Sequence, residues 1–286
     1  MLGIIGGSGF YRLAAGETFE TVDLDTPFGR PSAPVARGAI GGTPVAFIPR
    51  HGEGHRFSPT NLPYRANIYA LKALGVTHVV SISAVGSLRD DLPPRSIVLP
   101  DQIIDRTVNR PRTFFDRGVV AHVGLADPYC DVLSERLAEA AGRAGQAVRR
   151  GGAYLCIEGP QFSTRAESRL FRSWGASVIG MTAMPEARLA REAELCFAML
   201  ALVTDYDVWH EAEADVSVEV VAGHLQANSG AAADILRALG EIGLPERTCA
   251  CAHALEHAVM TEPAMVSDAD RRRLGVIGAR AFGAVG

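Results

Sequence analysis

Strand-like and helix-like segments alternate along this chain, and this alternation limits its possible folds more than any other feature. Six apolar runs rich in β-branched residues have the length and composition of strands that are buried on both faces. The runs are VAFIPR (45–50), THVVSISAVG (77–86), SIVLPDQIID (96–105), AYLCIEG (153–159), SVIGMT (177–182) and CFAMLALVTDYD (196–207). Because helical patterns separate several of them, the sequence predicts an α/β fold with a largely parallel central sheet.

Three helices are marked by signals typical of helix ends: a proline at the start, a capping box, or a glycine after the last turn. They follow Pro63 up to Gly75, start at the box of Thr164 and Glu167 and end at Gly175, and run from Pro185 to about Leu195. The chain from Val216 onward is also predicted to turn helical.

The composition is typical of one compact globular unit. The chain has 286 residues, of which 48% are hydrophobic, so it can bury a substantial core. No internal repeat, low-complexity segment or Gly/Ser-rich linker interrupts the sequence. We therefore predict a single domain over residues 1–286.

Charge and apolar runs indicate the partners and the compartment. A formal net charge of −4 argues against nonspecific binding to nucleic acid. No apolar run approaches the roughly 20 residues that span a bilayer, and no basic segment precedes an apolar stretch at the N-terminus. We expect a cytoplasmic protein with no nucleic-acid and no membrane partner.

The cysteines fit neither a metal motif nor a secreted protein. There are five, none with CxxC spacing, and an odd number argues against a framework of disulfides. Cys249 and Cys251 form a CxC pair, which the sequence favours as reduced structural thiols. The histidines of HGEGH, His51 and His55, do not match H-E-x-x-H, and their glycines argue against the helix that would align them on a metal.

The opening MLGIIGGSGF places a glycine-rich turn after an apolar run. It does not match G-x-G-x-x-G, because Arg12 stands where the third glycine belongs, and no GK[ST] follows as in a P-loop. Gly6, Gly7 and Gly9 can still expose backbone N–H groups, and Ser8 adds a hydroxyl, which suits a small oxyanion such as phosphate. A simple turn after an edge strand remains the alternative.

Ligands of open α/β sheets bind beyond the carboxyl ends of the strands. The residues at those ends are Ser8, Arg50, His51, Ser83, Ala84, Met181, Thr182, Asp205 and Asp207. A guanidinium, an imidazole, hydroxyls and glycine-flanked amides together form a set that can clamp an anion. The two aspartates would repel a phosphate and should therefore serve another part of the substrate.

Six motifs resemble those of a known family, in the same order and with the same spacing. They are GIIGGSGF, PRHGEGHRFSPTNLPYRANIYALKALG, SAVGSLRDDLPP, IEGPQFSTRAES, GMTAMPEARLAREAELC and TDYDVWHEAEADVSVE. These motifs resemble the 5'-methylthioadenosine phosphorylases of the purine nucleoside phosphorylase superfamily. The resemblance implies a nucleoside phosphorylase fold with a mixed central sheet flanked by helices, and a homotrimer without a cofactor. It also implies phosphorolysis of 5'-methylthioadenosine to adenine and 5-methylthioribose 1-phosphate.

The resemblance assigns a phosphate site to six positions: Ser8, Arg50, His51, Ser83, Ala84 and Thr182. In such a site, phosphate stabilises the oxocarbenium character of the sugar and captures C1' as the purine leaves. A surface ion pair in a loop remains the alternative for Arg50 and His51.

The resemblance also assigns the nucleoside site. Phe162 stacks on the base with Ser163 beside it, the backbone of Met181 meets the ribose hydroxyls, Val218 and Val221 surround the methylthio group, and His122 comes from a neighbouring subunit. Packing within the core remains the alternative for Phe162, Met181 and the two valines.

Asp205 and Asp207 would face N7 and the 6-amino group of adenine. An acid at N7 supplies the proton that the leaving base needs, and burial raises the pKa of such an acid. Two aspartates that cap a turn after a strand are the alternative.

Other functions stay open on the sequence alone. The same chemistry could act on a 6-oxopurine nucleoside such as 5'-methylthioinosine, or on a 5'-deoxy- or 5'-halo-adenosine. The opening glycines leave a nucleotide-dependent oxidoreductase as a candidate from another class, and a noncatalytic adenosyl-ligand binder is a third.

Overall fold

A mixed sheet forms the centre of the molecule, as seen in a computed structural model that describes residues 1–7, 19–211 and 215–282. Within these residues the sheet has eleven strands. They are β1 (Leu2–Gly6), β2 (Glu20–Val22), β3 (Val35–Ile40), β4 (Thr43–Pro49), β5 (His78–Ser87), β6 (Ile97–Leu99), β7 (Gln102–Arg106), β8 (Val148–Arg150), β9 (Ala153–Ile157), β10 (Ala176–Gly180) and β11 (Cys196–Asp205).

Helices flank the sheet, and the three with clear end signals form as predicted. The helices of the described residues are α1 (Tyr64–Ala73), α2 (Asp131–Arg143), α3 (Arg165–Ser173), α4 (Ala183–Glu192), α5 (Val218–Ile242), α6 (Asp268–Leu274) and α7 (Ala279–Phe282). The capping box at the start of α3 is present in full, with Thr164 and Glu167 each bonding the other's backbone N–H. Met184 is not helical, so the regular part of α4 begins at Pro185.

The sheet is mixed, with a parallel centre. β1 pairs in parallel with β4 and β5, and β11 pairs in parallel with β5. The β2–β3–β4 edge is antiparallel, and so are the β10–β5 and β11–β6 pairs. The carboxyl ends of β1, β4, β5 and β11 therefore lie at the same edge of the sheet.

The run at 96–105 is not the single strand that its sequence predicts. It forms β6 and β7, which join different neighbours: β6 pairs with β11 and β8, whereas β7 pairs with β9. Pro100 lies between the two, and a proline has no N–H to donate to a strand ladder.

The prediction that the chain turns helical after Val216 is correct only in part. α5 ends at Ile242, and the next residue, Gly243, has a φ of 76°, a value that favours glycine. Beyond α5 the chain forms two short 3₁₀ helices, Ala250–His253 and Pro263–Met265, before α6 and α7. None of the described helices is both long and apolar enough to cross a membrane.

Candidate active site

Arg50 directly follows β4 and is completely buried, so the alternative of a surface ion pair is wrong. Its guanidinium donates from Nη1 to the Ile82 carbonyl at 2.9 Å and from Nη2 to the Ser81 hydroxyl at 2.7 Å. Its Nε donates to Oε1 of Glu186 at 2.5 Å, and Nη2 also reaches Oε2 at 3.2 Å. Arg50 thus forms a buried ion pair with α4.

Glu186 is a site residue that sequence reasoning missed. It is 1% exposed, and its Oε2 also accepts a hydrogen bond from Ser81 at 2.8 Å. Burial alone would lower the pKa of Arg50, but the Glu186 carboxylate raises it above the ordinary value. In the sequence Glu186 follows Pro185, where an acidic residue is typical of a first helical turn and gives no sign of a distant partner.

His51 follows Arg50 and is uncharged at neutral pH. Burial, with the positive charge of Arg50, lowers the pKa of His51 to about 4. Its Nδ1 lies 2.9 Å from the Phe57 carbonyl, and its ring stacks on that of His55 at 4.1 Å. Because the carbonyl can only accept, Nδ1 carries the proton and Nε2 is an acceptor.

Ser83 and Thr182 meet although they lie on different strands. β10 runs antiparallel to β5, so the residues after its end return alongside the middle of β5. Their hydroxyl oxygens are 3.2 Å apart, and both residues are buried. Thr182 precedes the irregular start of α4, where Met184 is extended and its amide bonds the Cys156 sulfur.

The end of β1 completes this cluster. A Cβ at Gly7 would lie 2.9 Å from Nη1 of Arg50 and 3.9 Å from the Cα of Ser83, so only glycine fits without displacement. Ser83 and the partly exposed Ala84 lie within β5, which continues to Ser87, so the prediction that they stand at the end of a strand is wrong. Ser8 lies outside the described residues. The structure therefore gathers Arg50, Ser83 and Thr182 beside the backbone of Gly7.

Asp205 ends β11 and is buried, and burial raises its pKa above the ordinary value. Its Oδ2 accepts a hydrogen bond from the Thr204 hydroxyl at 2.7 Å, and its Oδ1 accepts one from the Asp207 amide at 2.8 Å. The bond from the Asp207 amide caps the turn after β11, as expected if the two aspartates were only turn caps. A carboxyl oxygen can accept more than one bond, so the cap leaves room for a ligand.

Asp207 has a left-handed backbone with a φ of 54°, which is uncommon for a residue with a side chain. Burial raises its pKa, the charge of Asp205 adds to this effect, and the nearby hydroxyls of Ser168 and Ser163 oppose it. Oδ2 of Asp207 and the hydroxyls of Ser163 and Ser168 are buried together, and the effect of both hydroxyls on the pKa of Asp207 places them around its carboxylate. The pocket beside Asp207 is therefore polar.

Phe162 lies in the turn between β9 and α3 and is 42% exposed, so a core packing role for it is excluded. Met181 is partly exposed, and its carbonyl accepts a hydrogen bond from Nη1 of Arg110 at 2.6 Å. A Cβ at Gly159 would lie 2.5 Å from the Met181 sulfur, so this side chain packs directly on the same turn.

Arg110 is a second residue that the sequence did not reveal. It is 5% exposed and donates to the carbonyls of Met181, Met184 and Glu158, at 2.6, 2.7 and 2.6 Å. It thereby joins the end of β9 to the end of β10. Its segment, TVNRPRTFF, has no periodic pattern that indicates such a role.

The N-terminus of α5 lies next to the two aspartates. The Val216 amide donates to the Asp207 carbonyl at 3.0 Å, and His224, one turn along α5 from Val221, acts electrostatically on Asp205. Val221 is partly buried, whereas Val218 is 72% exposed and does not pack within this chain.

His122 lies apart from the other site residues of the same chain. Its amide donates to the Ala258 carbonyl at 2.8 Å, and no hydrogen bond or ion pair joins its side chain to another site residue in the described segments. Its surroundings are apolar and open: Val120 is 48% and Met260 is 66% exposed, and the two are joined by a backbone hydrogen bond.

Comparisons with known proteins show the family of this chain. The family profile described as "Phosphorylase superfamily" matches residues 1–241. The S-methyl-5'-thioadenosine phosphorylase of Geobacter sulfurreducens is 50% identical over 278 residues, covering 97% of each chain. That of Chloroflexus aurantiacus is 50% identical over 282 residues, covering 98% of this chain and 97% of the relative.

Solved structures show the same fold. A methylthioadenosine phosphorylase from an antarctic soil metagenomic library has a TM-score of 0.88 and 44% identity, covering 96% of this chain and 98% of that one. Methylthioadenosine phosphorylase from Schistosoma mansoni in complex with adenine has a TM-score of 0.84 and 34% identity, covering 93% and 96%. The chain therefore belongs to the phosphorylase superfamily and, within it, to the family of the S-methyl-5'-thioadenosine phosphorylases.

Proposed function

We propose that this chain catalyses the phosphorolysis of S-methyl-5'-thioadenosine to adenine and 5-methylthioribose 1-phosphate. The observation that carries the proposal is the pair of buried carboxyls with raised pKa at the end of β11, Asp205 and Asp207. Arg50 after β4, Ser83 within β5 and Thr182 after β10 form a second cluster of polar groups, to which we assign the phosphate. The relatives named above carry the same activity in their names.

Phosphate binds at the ends of β1 and β4 and beside the middle of β5 in this proposal. The hydroxyls of Ser8, Ser83 and Thr182 and the backbone around Ala84 hold its oxygens. Arg50 lies beside the phosphate in a position that Glu186 fixes, with its charge partly offset by that carboxylate. His51, neutral with Nε2 as an acceptor, takes up a proton or shares one with a phosphate oxygen.

The base binds beside the two aspartates. A carboxyl of raised pKa at Asp205 can hold the proton that N7 receives as the glycosidic bond breaks. A carboxylate oxygen of Asp207 accepts a hydrogen bond from the 6-amino group, which a 6-oxopurine lacks. Phe162 stacks on the ring, with the Ser163 hydroxyl beside it.

The sugar lies between the base and the phosphate. The backbone of Met181, held by Arg110, meets the ribose hydroxyls. Val218 and Val221 contact the methylthio group, which an apolar surface favours over a hydroxyl by only about 10². Phosphate is the co-substrate, and the reaction needs no cofactor and no metal because a bound acid and a bound anion supply its chemistry.

We propose that the working unit is a homotrimer of single-domain chains in the cytoplasm. The exposed side chains of Val120 and Met260 beside His122 support this, because an apolar patch next to a site residue favours a neighbouring subunit as its cover. His122 would then reach the 5' end of a nucleoside bound to the adjacent chain.

The test is the release of adenine, followed by ultraviolet absorbance, from a panel of nucleosides with and without inorganic phosphate. We expect release from S-methyl-5'-thioadenosine that depends on phosphate, and much slower turnover of 5'-methylthioinosine. Equal rates without phosphate would contradict phosphorolysis. Faster turnover of a 5'-deoxy- or 5'-halo-adenosine would change the assignment of the 5' pocket and leave the reaction class intact.

A further inference from the structure

Four of the five cysteines meet at one place, distinct from the residues assigned to the nucleoside and phosphate. The Sγ atoms of Cys130, Cys196, Cys249 and Cys251 all lie within 4.8 Å of one another. The Sγ of Cys249 is 3.6 Å from that of Cys130 and 3.4 Å from that of Cys196. All four are free thiols, since a disulfide needs a separation of about 2.05 Å.

Three separate parts of the chain supply this cluster. Cys130 directly precedes α2, Cys196 begins β11, and Cys249 and Cys251 lie at the start of the 3₁₀ helix Ala250–His253. The backbone amides of Cys130 and Cys196 are hydrogen-bonded to the surrounding chain, which fixes the backbone at both residues. The cluster therefore depends on the fold, and local spacing such as C-x-x-C could not have revealed it.

The geometry of the cluster fits one metal ion. In a tetrahedral zinc site with Zn–S bonds of about 2.3 Å, the sulfurs lie about 3.8 Å apart. In this protein two of the sulfur–sulfur distances are 3.4 and 3.6 Å, and no pair of these sulfurs is more than 4.8 Å apart. The distance expected for a zinc site falls within this range. Four cysteine ligands with no open position are typical of a structural zinc site, and soft thiolates select thiophilic cations.

The surroundings suit a buried ion that enters from one side. Cys130, Cys196 and Cys251 are 2%, 1% and 4% exposed and belong to the apolar core. Cys249 is partly exposed and lines a cleft of about 520 Å³ that contains none of the residues assigned to the nucleoside or phosphate. Arg191 lines the same cleft as Cys249.

We propose that Cys130, Cys196, Cys249 and Cys251 bind one thiophilic divalent cation of the zinc type. The ion would fasten the chain after α5 to the starts of α2 and β11. The site is structural and independent of the proposed reaction, so its failure and the failure of the proposed function are separate results.

The first test measures the metal content of the full-length protein, purified without chelators from cells supplied with zinc. We expect about one zinc ion per chain in the wild type and nearly none in Cys251→Ser, because a closed site needs all four ligands. Cys156→Ser is the matched control: Cys156 is fully buried but lies outside the cluster, so this variant should keep its zinc.

A second test needs only the wild type, in case Cys251→Ser does not fold. Replacement of zinc by Co²⁺ should give the thiolate charge-transfer and d–d absorption of a tetrahedral site, and removal of the metal should lower the Tm. The proposal would be overturned if the purified protein held no zinc, whether its five thiols all remained titratable or some had formed disulfides. It would also be overturned if the protein bound Co²⁺ without the absorption of a thiolate complex.

Discussion

At the scale of single residues, Asp205 decides whether the base site is assigned correctly. Its raised pKa keeps the carboxyl protonated to a higher pH than an ordinary aspartate, and only the protonated form can act as the acid. We expect kcat of the wild type to fall as the pH rises through this raised pKa, because the proton for N7 is lost. Steady-state rates over a range of pH give this profile.

Asp205→Asn should lower kcat by roughly 10² to 10⁴ and change KM less, because the proton is needed mainly in the transition state. The amide also places an N–H where an oxygen at C6 can accept it, so activity should shift toward 5'-methylthioinosine. Asp234→Asn is the control, since Asp234 is an exposed carboxyl whose ion pair with Arg237 lies within α5. If Asp205→Asn lowered only the Tm and left the substrate ratio unchanged, Asp205 would be a turn cap alone.

From the low pKa of His51 we predict that the protein takes up protons when it binds phosphate. Its pKa of about 4 in the free protein should rise beside a phosphate dianion, because an opposite charge favours the imidazolium. Calorimetric titration with phosphate at about pH 7.5, in two buffers of different ionisation enthalpy, measures the uptake. We expect net uptake in the wild type and less in His51→Asn. Equal heats in both buffers would mean that His51 stays neutral in the complex.

At the scale of secondary-structure elements, the sequence predicted the strand ends better than their distant partners. Apolar runs marked β4 and β11, so Arg50 and Asp205 could be placed at one edge of the sheet, whereas Ser83, expected at the end of its strand, lies in the middle of β5. Glu186 and Arg110 could not be found in this way, because their roles come from contacts 136 and 71 residues away along the chain. A hydrophobic pattern carries no information on such pairs.

The buried ion pair between Arg50, after β4, and Glu186, in α4, predicts how much stability the protein loses when Glu186 is replaced. Removal of one partner of a buried ion pair leaves an unpaired charge and costs about 3 to 5 kcal/mol. We expect Glu186→Gln to lower the free energy of unfolding by about that amount and to raise the KM for phosphate, since Arg50 loses its support. Urea unfolding and phosphate titration measure the two effects.

Glu139→Gln serves as the control for Glu186→Gln, since the ion pairs of Glu139 with Arg136 and Arg143 lie on the surface. Such pairs contribute about 0 to 1 kcal/mol. A loss of the same small size in Glu186→Gln would show that the buried pair does not hold Arg50 in place.

At the scale of the whole molecule, the antiparallel β10 brings Thr182 back to Ser83, and the parallel centre brings the ends of β1, β4 and β11 to the same edge. The sequence predicted a largely parallel sheet from the alternation of elements. The sequence did not show which strands pair, nor that residues 96–105 divide into β6 and β7. Both features depend on contacts between residues that are far apart in the sequence.

The exposed apolar patch formed by Val120 and Met260 predicts that this surface is buried between subunits. Val120→Glu should weaken a trimer, because a charge buried in an apolar interface has no partner. Since His122 would lie in that interface, KM for the nucleoside should rise while the requirement for phosphate persists. Sedimentation shows the assembly. A fully active monomer would contradict the shared site.

The central claim is that phosphate attacks C1' while the base leaves as neutral adenine. The most direct measurement is ³¹P NMR of a reaction with S-methyl-5'-thioadenosine and inorganic phosphate, with adenine measured in the same sample. We predict one sugar 1-phosphate for each adenine released, and loss of both products in Asp205→Asn. Release of adenine with unchanged inorganic phosphate would show hydrolysis and contradict the account.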